Sequence, residues 1–272
     1  MQRPIDKETR LCISLAGRPS NIGTRFHNFL YEELGLNFVY KACTTPDLAA
    51  AVAGLRGLGI RGCGVSMPYK EACIPFLDEL DASARALQSV NTIVNDEGHL
   101  HGYNTDYIAV EKLLRRHGVP RDLPFALRGS GGMAKAVTRT LHGAGHRRGI
   151  ILARNRTTGP SLAGSYGYEW RTELGDAEAG LLINVTPVGM AGGPDAEMLA
   201  FDPEVIDRAT VVFDVVAVPP ETPLIRHARA AGKSVITGAD VIALQAAEQF
   251  ALYTGVRPTE EQIRRASEYS RS

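Results

Sequence analysis

The segment FALRGSGGMA, residues 125–134, decides the fold of this 272-residue chain. Its first three residues predict a buried strand, its glycines predict a tight turn, and Lys135 to Leu141 predicts a helix. Such glycines let the backbone approach a pyrophosphate, which is then held at the helix N-terminus. A turn that merely needs glycine is the alternative, but the position inside a βαβ pattern favours a dinucleotide site. The candidate cofactor-binding residues of this turn are Gly129, Ser130, Gly131, Gly132, Met133 and Ala134.

Apolar segments on both sides of this turn predict a layered α/β structure. Residues 150–153, 181–185 and 211–216 are nearly continuous apolar runs, as strands covered on both faces require. Strands predicted at 11–15 and 60–65 alternate with helices in the first part of the chain as well. The predicted fold class is therefore α/β with two domains, the second of them a Rossmann-type dinucleotide-binding domain.

The region between these two runs is predicted to contain a helix and a hairpin. Residues 78–86 have a helical pattern, and Asn95-Asp96-Glu97-Gly98 predicts a hairpin turn after a strand at 90–94. A longer helix is predicted to follow Asp106. We place the domain boundary near residues 106–108, with that helix as the connector.

The loop after the second strand of the Rossmann-type domain indicates the cofactor. An NAD site requires an acidic residue about 20 residues beyond the glycines to bind the ribose 2′-hydroxyl. Between Leu123 and Tyr168 the chain has no Asp or Glu, and Arg154-Asn155-Arg156-Thr157 stands at that place. Arginine suits a 2′-phosphate through charge-assisted hydrogen bonds. The sequence therefore predicts NADP as the preferred cofactor and NAD as the second choice, with a solvated basic loop as the alternative interpretation.

Two short segments carry ionisable groups where a plain surface does not need them. Ser66-Met67-Pro68-Tyr69-Lys70 follows a predicted buried strand, and Asn104-Thr105-Asp106 precedes a predicted helix. A turn after a buried strand is a common place for catalytic groups. Lys70 can exchange a proton with a substrate hydroxyl, and Asp106 can hold its ammonium group. A surface lysine and a helix-capping aspartate are the alternative for either segment alone.

The composition argues against several classes of function. The chain has 30 basic and 30 acidic residues without a polybasic tract, so nucleic acid and anionic membranes are not expected partners. No apolar run reaches the roughly 18 residues of a membrane span, and the first residues contain no apolar signal segment. The four cysteines form no C-x-x-C pair, and the seven histidines show no metal-ligand spacing. We expect no metal site, reduced thiols and a cytoplasmic location.

Several segments, taken together and in order, resemble the shikimate dehydrogenase family over nearly the whole chain. In the first part of the chain, Ser66–Lys70 resembles the family's T-V-P-F-K segment, Val90-Asn91-Thr92 matches V-N-T, and Asn104-Thr105-Asp106 matches N-T-D. In the second part, Gly129–Gly132 resembles G-A-G-G, Asn155-Arg156-Thr157 matches N-R-T, and NVTPVGM at 184–190 resembles N-x-T-P-x-G-M. The agreement of so many ordered segments makes the resemblance specific.

The resemblance implies a substrate domain, a Rossmann NADP domain and a C-terminal helix that returns to the first domain. The substrate domain would span 1–106 with 239–272, and the NADP domain 107–238. By position, Lys70 and Asp106 are implied to be the catalytic pair. Substrate contacts are implied for Ser20, Ser66, Asn91 and Gln245. Cofactor contacts are implied for Thr186, Pro187, Met190, Val215 and Gly238.

Three positions depart from the family pattern. The family's S-x-S-P loop here reads Arg18-Pro19-Ser20-Asn21, so Arg18 replaces a serine that helps hold the carboxylate of shikimate. Arg18 is itself a candidate to bind a carboxylate bidentately. Ala217 stands in place of a substrate-facing tyrosine, and Pro160 in place of a further arginine. The pattern resembles the shikimate-dehydrogenase-like branch, for which the reaction type carries over better than the substrate.

The implied activity is an NADP-dependent, reversible oxidation of shikimate to 3-dehydroshikimate, or of a closely related cyclic hydroxy acid, by a monomer or homodimer. One alternative is an NAD-dependent quinate or shikimate-type dehydrogenase. Another is a non-catalytic protein that senses a metabolite or the NADP pool, although a sensor has no need for a Lys70–Asp106 pair. A methyltransferase with a Rossmann cofactor is less favoured, because Arg154 and Arg156 would have no phosphate to bind.

Overall fold

Two six-stranded sheets organise the chain, and the computed structural model describes residues 5–272 of it. The described residues up to Ile108, together with Ala243–Ser272, form one compact unit, and Ala109–Ile242 form the other. We call them the first unit and the second unit. Each contains one of the two sheets.

The strands divide equally between the two sheets. Those of the first unit are β1 (Arg10–Leu15), β2 (Phe38–Cys43), β3 (Gly62–Val65), β4 (Glu79–Leu80), β5 (Thr92–Asp96) and β6 (His99–Tyr103). Those of the second unit are β7 (Phe125–Arg128), β8 (Gly149–Leu152), β9 (Glu169–Arg171), β10 (Leu181–Asn184), β11 (Val211–Asp214) and β12 (Ser234–Thr237).

The helices connect these strands, and two of them contain residues of both units. In chain order they are α1 (Asn21–Glu33), α2 (Leu48–Gly57), α3 (Tyr69–Ala72), α4 (Ala82–Leu87), α5 (Thr105–Arg116), α6 (Gly132–Gly143), α7 (Thr158–Gly164), α8 (Pro203–Arg208), α9 (Pro223–Ala230), α10 (Gly238–Thr254) and α11 (Glu260–Arg271). The division between the units falls within α5 and within α10.

The second sheet has the strand order β12-β11-β10-β7-β8-β9, and all of its pairings are parallel. This is the doubly wound order, in which the strands that follow β7 and β10 are added on opposite sides of that pair. A crevice is therefore expected outside the carboxyl ends of β7 and β10. β10 and β11 are buried along their whole length, as their apolar sequences require. The predicted α/β fold class with a Rossmann-type part is confirmed.

The first sheet is mixed, with the order β2-β1-β3-β5-β6-β4. β1 pairs in parallel with β2 and β3, whereas β5 runs antiparallel to both β3 and β6. The predicted hairpin between β5 and β6 is present, and Glu97 and Gly98 both have positive φ angles, 51° and 92°. Two consecutive positive φ angles are the signature of a hairpin turn whose twist matches that of its strands.

The prediction of a helix over 78–86 is wrong for its first part. Glu79 and Leu80 form β4 beside β6, and the helix begins only at Ala82. The side chain of Asp81 accepts hydrogen bonds from the backbone N–H of Ser83 at 2.8 Å and from its hydroxyl at 2.6 Å. An N-cap of this kind fixes the start of α4 and leaves the preceding residues free to pair as a strand.

An aromatic cluster joins α1 and α10 in the core of the first unit. His27 is fully buried, and its ring stacks on that of Tyr40 with 4.4 Å between centroids. Phe250 and Tyr253 of α10 lie against the same ring, with centroid distances of 6.2 and 5.8 Å. This packing anchors the C-terminal part of α10 in the first unit.

Candidate functional site

Lys70 lies in the first turn after β3, which the sequence pattern singled out. β3 ends at Val65, and Lys70 belongs to the short helix α3. The backbone carbonyl of Lys70 accepts a hydrogen bond of 2.8 Å from the N–H of Val90, just before β5. The segment that carries the lysine is thereby tied to the sheet beneath it.

Lys70 and Asp106 form a direct pair. The Lys70 Nζ donates to Oδ2 of Asp106 at 2.7 Å, although the residues are 36 positions apart in the chain. The side chains are 27% and 41% exposed, so solvent and a small ligand can reach both. Asp106 lies in the first turn of α5, where a carboxylate interacts favourably with the helix dipole.

Asn91 is the hub of a buried hydrogen-bond network beside this pair. Its side-chain oxygen accepts from the backbone N–H of Thr105 at 2.8 Å and from the Thr105 hydroxyl at 3.0 Å. It also accepts from the hydroxyl of Thr92 at 2.9 Å. Asn91 is 3% exposed, and within residues 5–272 its amide nitrogen has no hydrogen-bond partner. The network therefore occupies the side-chain oxygen of Asn91 and leaves its side-chain amide N–H groups available to a ligand.

Two glutamines one helical turn apart on α10 complete the network. Gln245 Nε2 donates to the Thr105 hydroxyl at 3.2 Å. Gln249 Nε2 donates to the backbone carbonyl of Asn91 at 3.0 Å and to the hydroxyl of Thr92 at 2.9 Å. The sequence interpretation missed Gln249 and the threonines. The spacing of the two glutamines, which places them on one helix face, is the signal that could have identified Gln249.

The remaining predicted substrate residues lie on exposed loops. Arg18, Ser20 and Ser66 are exposed, and their side chains have no polar partner among the residues that the structure describes. Ser20 is the N-cap of α1 but makes no side-chain capping bond. The N–H of Gly17 donates to the carbonyl of Met67 at 2.9 Å, which joins the loop before Arg18 to the turn after Ser66.

In the second unit, the glycine-rich turn forms an open cradle after β7. Gly129 has a φ of 134°, and a Cβ there would lie 2.8 Å from Cγ2 of Val185, so the turn requires glycine at this point. A Cβ on Gly131 or Gly132 would meet no atom within 4 Å. α6 begins at Gly132 with neither a side-chain cap nor an acidic residue in its first turn. Its first N–H groups and its dipole therefore suit an anion.

The loop after β8 lies against this turn. The side-chain oxygen of Asn155 accepts from the N–H groups of Thr157 and Thr158, each at 2.9 Å. The Thr158 hydroxyl hydrogen-bonds to that of Ser130 at 2.8 Å, which links the loop to the glycine-rich turn. Arg154 and Asn155 line a cleft of about 510 Å³ at this edge of the sheet, whereas Arg156 is not part of its lining.

A buried network shapes the loop after β10. Asn184 donates to Oδ1 of Asp214 at 3.0 Å and accepts from the N–H of Thr186 at 3.0 Å and its hydroxyl at 2.6 Å. Asp214 also accepts from Thr222 at 2.7 Å. Burial raises the pKa of the Asp214 carboxyl to about 6, although these hydrogen bonds oppose the rise. The network fixes Thr186 and Pro187, which line the cleft.

The other predicted cofactor residues of this unit lie near the same network. The N–H of Val215 donates to the carbonyl of Asn184 at 3.0 Å. A Cβ on Gly238 would lie 2.3 Å from the carbonyl oxygen of Val215, so the two backbones touch at this point. Met190 and Met133 are 43% and 54% exposed, so their side chains are accessible to a ligand.

Other kinds of site find no support among the described residues. Within residues 5–272, no three side chains from His, Cys, Asp and Glu are grouped so as to hold a metal ion. Over the same range, the structure contains no helix whose length and apolarity would let it span a bilayer. The four cysteines are free thiols, and burial raises the pKa of Cys63, which belongs to the core of the first unit.

Sequence comparisons connect this chain to shikimate dehydrogenases. Residues 21–93 match the family described as the shikimate dehydrogenase substrate binding domain. A shikimate dehydrogenase-like protein of Haemophilus influenzae is 54% identical over 98% of this chain and 99% of its own length. The NADP(+) shikimate dehydrogenase of Pyrococcus abyssi is 37% identical over 93% of this chain and 96% of its own.

Solved structures give the same result. A shikimate 5-dehydrogenase-like protein superposes with a TM-score of 0.96 at 54% identity, over 99% of this chain and all of the other. The shikimate 5-dehydrogenase of Thermus thermophilus, in complex with NADP(H) and shikimate, has a TM-score of 0.80 at 30% identity, over 96% and 99% of the two chains. A quinate dehydrogenase of Corynebacterium glutamicum, in complex with NAD, has a TM-score of 0.81 at 27% identity, over 95% and 97%.

Proposed function

This chain belongs to the shikimate dehydrogenase family, and we propose that it catalyses the NADP-dependent, reversible oxidation of shikimate or of a closely related cyclic hydroxy acid. The family prediction from the sequence motifs is confirmed, and the family is one of oxidoreductases that act on an alcohol group. The observation that carries the proposal is the Lys70–Asp106 pair, 2.7 Å apart and open to solvent beside the Asn91 network. Such a pair supplies the proton transfer that alcohol oxidation requires.

Lys70 acts as the proton-transfer residue in this proposal. In the direction of oxidation, its amine form accepts the proton of the substrate hydroxyl. In the direction of reduction, its ammonium form donates a proton to the carbonyl oxygen. Asp106 holds Nζ in position through the 2.7 Å hydrogen bond, and its second oxygen is available to a neighbouring substrate hydroxyl.

The polar groups around the pair serve to orient the substrate. The amide nitrogen of Asn91 is a donor without a partner among the described residues, and the polar network beneath it fixes its direction. The Gln245 side chain reaches the same network from α10. Ser20 and Ser66 offer free hydroxyls to the substrate, and Arg18 offers a guanidinium to its carboxylate.

The second unit fits the dinucleotide that the family uses. The open cradle at Gly131 and Gly132 leaves room for a pyrophosphate at the uncapped start of α6. Arg154 and Asn155 line the adjoining cleft and suit the adenosine end, with Arg156 and Thr157 beside them. When bound, the nicotinamide cofactor takes up or releases the hydride. Thr186, Met190, Val215 and Gly238 are proposed to lie on its nicotinamide side.

A second candidate is an NAD-dependent oxidation of quinate. Pro160 removes an arginine that the family uses at the cofactor, and Arg18 changes the group that meets the substrate carboxylate. A quinate dehydrogenase in complex with NAD is among the similar structures. These observations favour a broader or altered specificity over a loss of catalysis.

The test is the absorbance of the reduced nicotinamide with shikimate and with quinate, each paired with NADP and with NAD. Turnover of shikimate with NADP that exceeds the other three pairs supports the proposal. Quinate with NAD as the best pair supports the second candidate. Cofactor binding without hydride transfer to any cyclic hydroxy acid would overturn both and favour a sensor.

A further inference from the structure

A half-buried arginine without an ion pair lies at the end of the central strand of the second sheet. Arg128 is the last residue of β7, paired in register with Leu152 of β8 and with Asn184 of β10. Its guanidinium lies over the ring of Phe201, 5.3 Å from the centroid. Its Nε is buried and has no hydrogen-bond partner, and no ion pair joins Arg128 to any residue within 5–272.

The charges around Arg128 do not neutralise it. Asp202 and Glu173 act on the guanidinium from a distance, and Arg154 opposes them. Asp195 lines the same cleft but is not among the charges that act on Arg128. Burial lowers the pKa of Arg128, as expected of a cation that lacks a close carboxylate. A buried donor without an acceptor is costly, so an anionic ligand would bind it favourably.

The cleft places a second arginine and an open space beside Arg128. Arg128, Ser130, Arg154 and Asn155 all line the 510 Å³ cleft. The pyrophosphate position, at the start of α6, is already supplied with backbone N–H groups and needs no arginine. Arg156 does not line the cleft, and position 160 is proline. Arg128 is therefore the second guanidinium of this cleft, approaching it from the strand.

We propose that Arg128, together with Arg154, binds the 2′-phosphate of the cofactor and sets the preference of this protein for NADP over NAD. The inference rests on the proposed function only in assigning this cleft to the adenosine end of the dinucleotide. The planar guanidinium of Arg128, held by Phe201, presents a fixed fork of donors that suits a phosphate.

The experiment measures binding of 2′,5′-ADP and of 5′-AMP to the whole protein by calorimetry, without any substrate. Arg128→Met keeps the aliphatic part of the side chain and removes the charge. We expect 2′,5′-ADP to bind about tenfold more weakly to this variant, and 5′-AMP to change by less than about twofold. Arg128→Lys should lie between wild type and Arg128→Met, because a lysine keeps the charge but loses the fork.

Arg208→Met is the matched control, since Arg208 is an exposed arginine of the same unit on α8, outside the cleft lining. Equal losses for both nucleotides, or no loss for either, would overturn the inference. If Arg128→Met does not fold, the test is the ratio of the affinities for 2′,5′-ADP and 5′-AMP in Arg128→Lys. A ratio equal to that of wild type also overturns the inference. A wild type that binds both nucleotides equally well refutes the inference whatever the dehydrogenase assay shows. If the protein still binds 2′,5′-ADP more tightly than 5′-AMP but shows no dehydrogenase activity, only the proposed function is refuted.

Discussion

The two units build their candidate sites by different means. In the first unit, the polar groups belong to side chains, namely Lys70, Asp106 and Asn91, and each is held by hydrogen bonds from neighbouring elements. In the second unit, the glycine-rich turn offers backbone N–H groups and open space, and side chains enter mainly at the cleft beside it. Removing one side chain of the first unit should therefore abolish catalysis, whereas in the second unit adding atoms to the glycine-rich turn should have the larger effect on cofactor binding.

The largest expected effect is that of Lys70→Ala. Removing a general acid–base group typically lowers turnover by about 10²–10⁴-fold. Cofactor affinity should stay within about twofold of wild type, because Lys70 belongs to the first unit and the cradle to the second. Steady-state kinetics and cofactor titration on the same preparation check both expectations. Lys41→Ala, an exposed lysine of β2, is the control and should retain activity. Full turnover in Lys70→Ala would remove the basis of the proposed mechanism.

One buried titratable group in each unit should respond to acid in the opposite direction to the other. Burial lowers the pKa of His27 to about 3, below its ordinary value of 6.5. Below pH 6.5 the unfolded chain therefore binds a proton that the folded chain does not, and the free energy of unfolding falls as the pH falls. Burial raises the pKa of Asp214 to about 6 from 3.8. Between pH 6 and 3.8 the folded chain binds the additional proton, so this contribution to stability rises as the pH falls.

Urea unfolding at pH 7 and pH 5 separates the two contributions. Between pH 7 and pH 5, we expect the His27 side chain to lower the free energy of unfolding by about 2 kcal/mol, and His27→Phe to abolish that decrease. We expect the Asp214 side chain to raise the free energy of unfolding by about 1 kcal/mol over the same range, and Asp214→Asn to abolish that increase. Each variant is the control for the other, because the changes have opposite signs and lie in different units. The same pH dependence in both variants and in wild type would contradict the comparison.

The sequence was a good guide to groups that follow buried strands. Lys70 and Asp106 could be named as candidates because each stands next to a strand end, and the glycines at 129–132 because a tight turn needs them. The family resemblance added the order of the units. The start of α4 could not be predicted from local pattern, since the cap at Asp81 and the pairing of β4 with β6 compete with helix propensity.

Side chains whose role depends on tertiary contacts could not be identified from the sequence. Gln249 reads as an ordinary polar residue until α10 lies against β5, where it meets Asn91 and Thr92. The sequence named Arg154, Asn155 and Arg156 together, and only the structure shows that Arg154 and Asn155 line the cleft while Arg156 does not. Helix α11 was missed as well, although its capping box at Thr259 and Gln262 is visible in the sequence.

A single added methyl group distinguishes the two kinds of glycine in the turn. Gly131→Ala should leave the unfolding temperature near that of wild type, because its Cβ meets no protein atom and its φ of −83° suits any residue. It should weaken cofactor binding about tenfold, since the methyl group occupies space at the start of α6 where a phosphate is expected. Calorimetric titration of NADP and thermal unfolding test the two parts.

Gly129→Ala is the matched comparison, with the same methyl group added two residues earlier. Its φ of 134° and its 2.8 Å approach to Val185 should make this variant less stable by about 1–2 kcal/mol. If both variants lose stability alike, position 131 does not face open space. If Gly131→Ala binds NADP as well as wild type does, the open cradle is not the cofactor site.

The smallest expected effect concerns Gln249, which acts on the site only through Asn91 and Thr92. Gln249→Met keeps the volume of this 7%-exposed side chain but removes its two donated hydrogen bonds. Because each bond contributes about 1 kcal/mol, we expect the KM for the acid substrate to rise about fivefold while kcat and cofactor affinity change little. A lower unfolding temperature with an unchanged KM would show that Gln249 only stabilises the fold. A higher KM at an unchanged unfolding temperature would show that the buried network positions the amide of Asn91, so that the side-chain site of the first unit extends one layer below the groups that meet the substrate.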